Sequence, residues 1–439
     1  MLHHLHLLML LSLTTSSLSA AELRVAGVFG DHMVLQRDLP LPVWGWAEPG
    51  TTVEVRCDQA VATALSDAQG AWRALLPPLH ADGKAHTMTV SAGQVVTFSD
   101  VLIGEVWIGS GQSNMAAALG AGDGPEREQP ELRLLTVPVV LAKKPEPDTK
   151  AAWAVADTAS SSRFSAVLWH FGRRLQRDLH VPIGLICSAK GSTNIALFMP
   201  GSGVFYNGSI APLQPLAMRG MLWYQGEANV MAGDGLAYGE RLRGLITSWR
   251  TAWGREFPFY FAQLAPLRNY QPDLLPPVWE AQTAALNLPH TGMAVATDLD
   301  DRQLGNIHPR SKDKVGERLA RWALAKDYGR SEVAFCGPLY RSMSVRGRSI
   351  MIAFAHGEGL TTRDGMPPGD FEIAGADGVY VAATAVIDGD GVMLSAAGVE
   401  QPTMARFAWR NDATPNLVNG AGLIASAFHT DHWTGGTAE

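Results

Sequence analysis

Residues scattered through this 439-residue chain have the types needed to hydrolyse an ester: Ser113 in GQSNM, Gly191 in KGST, Gln225 and Asn229 in QGEAN, and His308 before Pro309. A serine hydroxyl is a weak nucleophile near neutral pH and needs a base within hydrogen-bond reach. Among the 13 histidines, His308 is the best base, because it follows a strand candidate and precedes an amphipathic segment. Attack on an ester carbonyl leaves a negative oxygen that a water-poor site must meet with donors. The backbone N–H groups of Ser113 and Gly191, with a carboxamide from Gln225 or Asn229, would supply three. Each piece alone has an ordinary explanation: GQSN as a turn and helix cap, Gly191 as a turn glycine, His308 as a cap or core side chain. Their convergence is what points to a site.

Convergence requires elements that bring these positions together. Residues 101–115, VLIGEVWIGSGQSNM, form an apolar run that stops at a small polar turn. A buried parallel strand feeding a tight turn reads this way. Gly109 and Gly111 permit close backbone approach, and a helix beginning after Ser113 would aim N–H groups at an oxyanion. Further strands are expected in PIGLICS, GMLWYQ, FYFAQL and GMAVAT. Helices are expected on the stripes Phe164, Val167, Leu168, Phe171, Leu175; Leu242, Leu245, Ile246, Trp249, Trp253; and Val315, Leu319, Trp322. This alternation predicts an α/β unit over residues 101–330, a parallel sheet with helices on both faces. Such sheets bind ligands at the carboxyl ends of their strands, where GQSN, AKGSTN, QGEAN and the segment leading to His308 collect.

On either side the texture is β. Residues 22–100 read as short strands broken by Gly, Pro and Asp, and residues 331–439 as a β-sandwich with Asp-Gly turns. Trp44, Trp46 and Trp72 read as core fillers rather than a sugar-stacking platform. Residues 1–21 have the layout of a signal peptide, with an apolar core and small residues before a cut, although the start carries histidines in place of Lys or Arg. An exported protein without a membrane anchor, periplasmic or extracellular, is expected. A hydrophobic fraction of 46% and a charged fraction of 18% exclude disorder, and a net charge of −7 gives no electrostatic reason to bind nucleic acid or an anionic membrane. Cys57, Cys187 and Cys336 lie too far apart in sequence for a zinc motif or a disulfide framework and read as buried apolar side chains. The segment KKPEPDTK, residues 143–150, reads as a solvated loop.

The assembly resembles the SGNH (GDSL-like) hydrolases, specifically the sialate O-acetylesterase-like carbohydrate esterases. The resemblance rests on GQSNM, KGST, YNGSIAPL, MLWYQGEAN and IHPRSKDKVGERLA, and extends to VFGDHMVLQ near the start and FAWRNDATPNLVNGAGL near the end. It implies a flavodoxin-like parallel sheet flanked by β-sandwich domains, Ser113 as nucleophile, His308 as base, Gly191 and a QGEAN side chain as oxyanion donors, and removal of acetyl groups from sugar hydroxyls. No cofactor and no metal are implied. Three departures stand out. The second block reads Lys190-Gly191-Ser192-Thr193 with Ala196 and Phe198 where relatives often have Trp-Gly-Gly-Thr ending in Glu and Trp. The passage before FYNGSIAPL lacks an inserted β domain, which suits a polymer more than a single sugar. The Asp that the pattern places three residues before the histidine is Gly305 here. Either Asp298, Asp300 or Asp301 folds back to orient His308, or a backbone carbonyl near Gly305 does so in a Ser-His dyad, the preferred reading. Acetylated xylan, xyloglucan and sialic acid all fit, with plant-type polysaccharide ahead because an acidic protein shows no preference for anionic sialate.

Two other classes remain open. The segment ATDLDDR could be a magnesium-dependent phosphatase loop, although its second Asp is followed by Asp301 and Arg302. A carbohydrate-binding protein with a silent hydrolase core is the non-enzymatic alternative. An α/β-hydrolase is disfavoured because GQSNM lacks the second glycine of G-x-S-x-G.

Overall fold

In the computed structural model the described residues are 22–120, 128–299 and 305–431. The segment read as a signal peptide, residues 1–21, and Asp300 and Asp301 lie outside them. The fold is mixed α/β, with one large mixed sheet and additional β-sheet regions.

The strands of the central sheet are β1 (Gln94–Gly111), β2 (Gln129–Thr136), β3 (Trp153–Ala156), β4 (Ile183–Ala189), β5 (Gly220–Tyr224), β6 (Phe259–Ala262) and β7 (Thr291–Ala294). Their spatial order is β3-β2-β4-β1-β5-β6-β7, parallel throughout except for the antiparallel edge strand β3. Strands buried on both faces explain the unbroken apolar runs of β4, β5 and β6.

Strand β1 differs from expectation. It does not begin at Val101 but runs for 18 residues, pairing first with His86–Ala92 and Val34–Gln36 and then with β4 and β5. The change of partners falls at Asp100, a non-glycine residue at φ 53°. Its carboxylate accepts hydrogen bonds from Arg133 at 2.5 and 3.2 Å and lies 2.7 Å from Nδ1 of His32. The expected boundary is therefore a bend within one strand.

Six helices position the site: α1 (Ser113–Ala116), α2 (Ala166–Leu179), α3 (Glu227–Met231), α4 (Ala237–Trp253), α5 (Leu275–Ala284) and α6 (Lys312–Lys326). Alternation along β1 sends Trp107 to one face, where it meets Phe171 of α2 at 5.0 Å. Ser110 takes the other face in register with Trp223, which meets Trp249 of α4 at 6.0 Å. Helix α6 joins α2 on the first face. Gly316 allows the close approach, since a Cβ there would stand 2.6 Å from the carbonyl oxygen of Val167. Ser165 caps α2 by accepting from the N–H of Leu168 at 3.2 Å. Helix α5, like β2 and β3, has no counterpart in the predicted elements: it is buried along most of its length and includes Glu280, Gln282 and Thr283, so no amphipathic stripe marks it.

The flanking regions are β, as their patterns predict. Trp44 and Trp72 are core residues, and Trp46 is half-buried beneath the guanidinium of Arg24 at 4.0 Å. The C-terminal sheets pack on the central unit through polar contacts, Thr297 Oγ1 donating to the carbonyl of Ala425 at 3.0 Å and Gln263 Nε2 to Ser426 Oγ at 2.9 Å. All three cysteines are free and buried, and burial alone pushes the Cys187 thiol up to about 12. The 143–150 segment is a mostly exposed loop, as its composition predicts, tied down at Asp148. Asp148 accepts from the N–H of Gly27 and from Arg24, both at 2.7 Å. Among the described residues no helix is long and apolar enough to cross a membrane.

Candidate active site

Strand β1 ends at Gly111, which has φ 135° and sits so close to β5 that a Cβ would stand 2.1 Å from the carbonyl oxygen of Tyr224. Only glycine fits there. The chain then turns, with Gln112 donating its N–H to that same carbonyl at 2.9 Å. The side chain of Gln112 reaches over to the QGEAN block, its Oε1 accepting from the N–H groups of Gly226 and Ala228 at 3.4 Å. Ser113 follows as the first residue of the one-turn helix α1.

His308 reaches the same point from a segment between β7 and α6. Its Nε2 lies 2.8 Å from Ser113 Oγ, and its backbone N–H donates to Asn306 Oδ1 at 2.9 Å. The ring is solvent-accessible and lines a cleft of about 710 Å³ with Ala117, Gly120, His170, Arg310 and Asp313. Partial burial, aided by the charge of Lys312, holds the imidazole below its ordinary pKa, which favours the neutral ring. Gly191 lies against Ser113 from the β4 side: a Cβ on it would stand 3.5 Å from Ser113 Cβ. The structure thus brings Ser113, His308 and Gly191 to one edge of the sheet.

The carboxamides differ from expectation. Gln225 is fully buried, and its Nε2 donates to Thr193 O at 3.0 Å and to Asn229 Oδ1 at 2.6 Å, while its Oε1 accepts from Tyr238 at 3.0 Å. Asn229, also fully buried, accepts from the N–H of Ile195 at 3.1 Å and donates to Asp234 at 2.5 Å. Both Gln225 donor hydrogens and the Asn229 carbonyl are committed to the chain that follows Gly191 and to each other. Their contacts brace that chain.

Asp298 does not turn to His308. Its two oxygens accept from Arg318 of α6 at 2.7 Å each, and that guanidinium holds the carboxyl below its ordinary pKa against the opposing effect of burial. Asp301 lies outside the described residues. Among the described residues, no group of three or more His, Cys, Asp or Glu side chains is arranged to hold a metal ion.

Three residues beside the site were not singled out by the sequence reading: Asn114, Glu227 and Lys312. Asn114 Nδ2 donates to Ile307 O at 3.0 Å and also to Glu227 Oε1. Lys312 Nζ donates to Asn114 Oδ1 at 2.8 Å and also to Pro309 O. The available signal was that Lys312 shares the apolar stripe of Val315, Leu319 and Trp322, where a solvated lysine does not belong.

Comparisons with known proteins give the family. Residues 103–325 match the family model described as carbohydrate esterase, sialic acid-specific acetylesterase. The chain is 30% identical to human sialate O-acetylesterase over 383 residues, covering 72% of this chain and 73% of that protein. It is 28% identical to the mouse sialate O-acetylesterase, covering 73% and 76%. The crystal structure of a carbohydrate acetylesterase from Xanthomonas citri superposes with a TM-score of 0.90 at 33% identity, over 94% of this chain and 100% of that one. A family match over half the chain, 30% identity to a sialate O-acetylesterase and a structural match over 94% of the chain to a carbohydrate acetylesterase lead to one assignment: the chain is an esterase and belongs to the sialic acid-specific acetylesterase family of carbohydrate esterases.

Proposed function

We propose that the protein removes acetyl groups from sugar hydroxyls through an acyl-enzyme on Ser113, with His308 as base. The observation that carries this reading is the 2.8 Å approach of Ser113 Oγ to His308 Nε2 at the carboxyl edge of a parallel sheet. With the Nδ1-protonated tautomer, Nε2 accepts the serine proton as Oγ attacks the acetyl carbon. The backbone N–H groups of Ser113 and Gly191 stabilise the oxyanion. Collapse breaks the bond to the sugar oxygen, which takes the proton from His308. Water, deprotonated by His308, then attacks the acetyl-serine and acetate leaves.

The substrate we propose is an acetylated neutral polysaccharide such as xylan or xyloglucan. The full-length likeness to a carbohydrate acetylesterase and the wide cleft beside His308 support it. O-acetylated sialic acid is the second reading, because Arg310 lines that cleft and a guanidinium suits a carboxylate. With the additional parallel strand β2 set aside, the order β4-β1-β5-β6-β7 follows the flavodoxin-like 2-1-3-4-5 pattern and supports an SGNH layout over residues 101–330, flanked by β domains over 22–100 and 331–439. The composition of residues 1–21 supports export to a periplasm or the cell exterior.

Acetate release from acetylated xylan, acetylated xyloglucan and O-acetyl sialic acid, measured in parallel with wild type and Ser113→Ala, tests the reading. Release that disappears in the variant supports it and selects the sugar. A variant as active as the wild type would exclude the serine mechanism.

A further inference from the structure

The two peptide carbonyls flanking His308 are both held from below by side chains. Ile307 O accepts from Asn114 Nδ2 at 3.0 Å, and Pro309 O accepts from Lys312 Nζ. The two holding groups are themselves joined, Lys312 Nζ donating to Asn114 Oδ1 at 2.8 Å. Asn114 adjoins Ser113 in the chain, so one side chain links the serine turn to the histidine segment. The second amide hydrogen of Asn114 goes to Glu227 Oε1, which fastens the arrangement to α3. Asn114 is 1% exposed, Glu227 3% and Lys312 5%, so water does not compete for these bonds.

We propose that Asn114 and Lys312 are positioning residues that set the His308 ring against Ser113 by gripping its backbone on both sides. The fixed backbone takes over the orienting task that a carboxylate performs elsewhere, in a segment where Gly305 stands at the expected Asp position. Glu227 anchors the clamp. A buried ammonium needs several acceptors, and Lys312 has Asn114 Oδ1 and Pro309 O together with the nearby carboxyl of Glu227. Misplacing a reacting group by about 1 Å costs on the order of 10²-fold in rate, so a loosened clamp shows in kcat before it shows in substrate binding.

This inference rests on Ser113 and His308 being nucleophile and base, and the test separates the two claims. Ser113→Ala, Asn114→Ser, Lys312→Met and the double variant Asn114→Ser/Lys312→Met are compared on one acetylated substrate. Each is assayed at a temperature where near-UV circular dichroism shows it fully folded. Each clamp variant should lose at least about tenfold in kcat with KM within about twofold, and the double variant should lose little more than the worse single. The groups facing His308 across the cleft are His170, Arg310 and Asp313, with Lys312 and Glu227 beneath. Removing the Lys312 cation from this set should move the acidic limb of kcat/KM to higher pH, because its charge opposes protonation of the ring, while the fall in kcat at unchanged KM is the readout of the clamp itself. Wild-type kcat in both single variants, or losses confined to KM, would overturn the clamp while leaving the nucleophile intact. Activity retained by Ser113→Ala would overturn both.

Discussion

Asp298 grips Arg318 through both carboxylate oxygens, each 2.7 Å from a guanidinium nitrogen, and so fixes the helix that follows His308 without touching the histidine. The side chains are 9% and 11% exposed, and Arg318 also donates to Val295 O at 2.6 Å. Removing one partner of a buried pair typically costs about 3–5 kcal/mol. Asp298→Asn should therefore lower the unfolding free energy measured in urea by about that amount while kcat/KM stays within about tenfold of wild type. A loss of about 10⁴-fold, the size seen when a triad aspartate is neutralised, would instead make Asp298 the orienting acid. Because the folded-state pKa of Asp298 is lowered, the stability it contributes is complete above the ordinary carboxylate range and disappears as pH falls through the depressed value.

With His308 as the proposed base, its titration sets the acidic limb of the pH profile. Only the neutral ring accepts a proton, and burial with the Lys312 charge holds its pKa below the ordinary 6.5. The log of kcat/KM for the free enzyme should rise with unit slope and level off with an apparent pKa below 6.5. The corresponding stability term has the opposite sign from a salt-bridged histidine: as pH falls from the unfolded pKa to the lowered folded one, the unfolded chain takes up the proton first and folding weakens. A midpoint above 6.5 in the wild type would show that a group other than His308 controls the limb.

Gly191 offers a separation of space from fold. A Cβ there has no backbone in its way and would stand 3.5 Å from Ser113 Cβ, an ordinary contact. Gly191→Ala should keep its melting temperature within about 2 °C and yet lose at least about tenfold in kcat/KM, since the methyl group enters the space of the acyl group. Equal activity would show that the acetyl group is bound on another side of the serine.

Gln225 should behave in the reverse manner. Its three side-chain hydrogen bonds are internal, to Thr193, Asn229 and Tyr238. Gln225→Leu leaves buried polar partners unsatisfied, each costing about 1–3 kcal/mol, and a lower melting temperature should accompany any loss of activity. If kcat falls on the order of 10²-fold or more with the melting temperature unchanged, the carboxamide is an oxyanion donor after all.

The central strands were legible because they are buried on both faces, and the stripes of α2, α4 and α6 because one face is wet. Helix α5 was not, since its polar side chains point inward: Gln282 accepts from the N–H of Leu264 and donates to Ala262 O, both at 3.1 Å, and Glu280 meets His429 at 2.6 Å. A pattern that equates polar with exposed misses such a helix. The same limit governed the site. That Ser113, Gly191 and His308 lie at neighbouring strand ends follows from topology, which periodicity reveals. Whether Gln225 faces Ser113 or Thr193 is a matter of side-chain direction, and Asn114 meets Lys312 only across 198 positions of sequence.

The single strand that carries the N-terminal β region into the central sheet makes the position of Ser113 depend on counting. Residues Gln94–Phe98 and Val101 pair with the 86–92 strand across a register shift at Ser99 and Asp100, Leu102–Gly104 pair with Val34–Gln36, and from Glu105 onward the partners are β4 and β5. Gain or loss of one residue would exchange the faces of everything beyond it, unless a bulge absorbed the change. The bend at Asp100, gripped by Arg133 and His32, pins that count between the two partner sets. Ancestral shuffling of the N-terminal region could not proceed by joining at a flexible linker; it would have to exchange segments in frame along a strand, so the two regions are inherited as one unit.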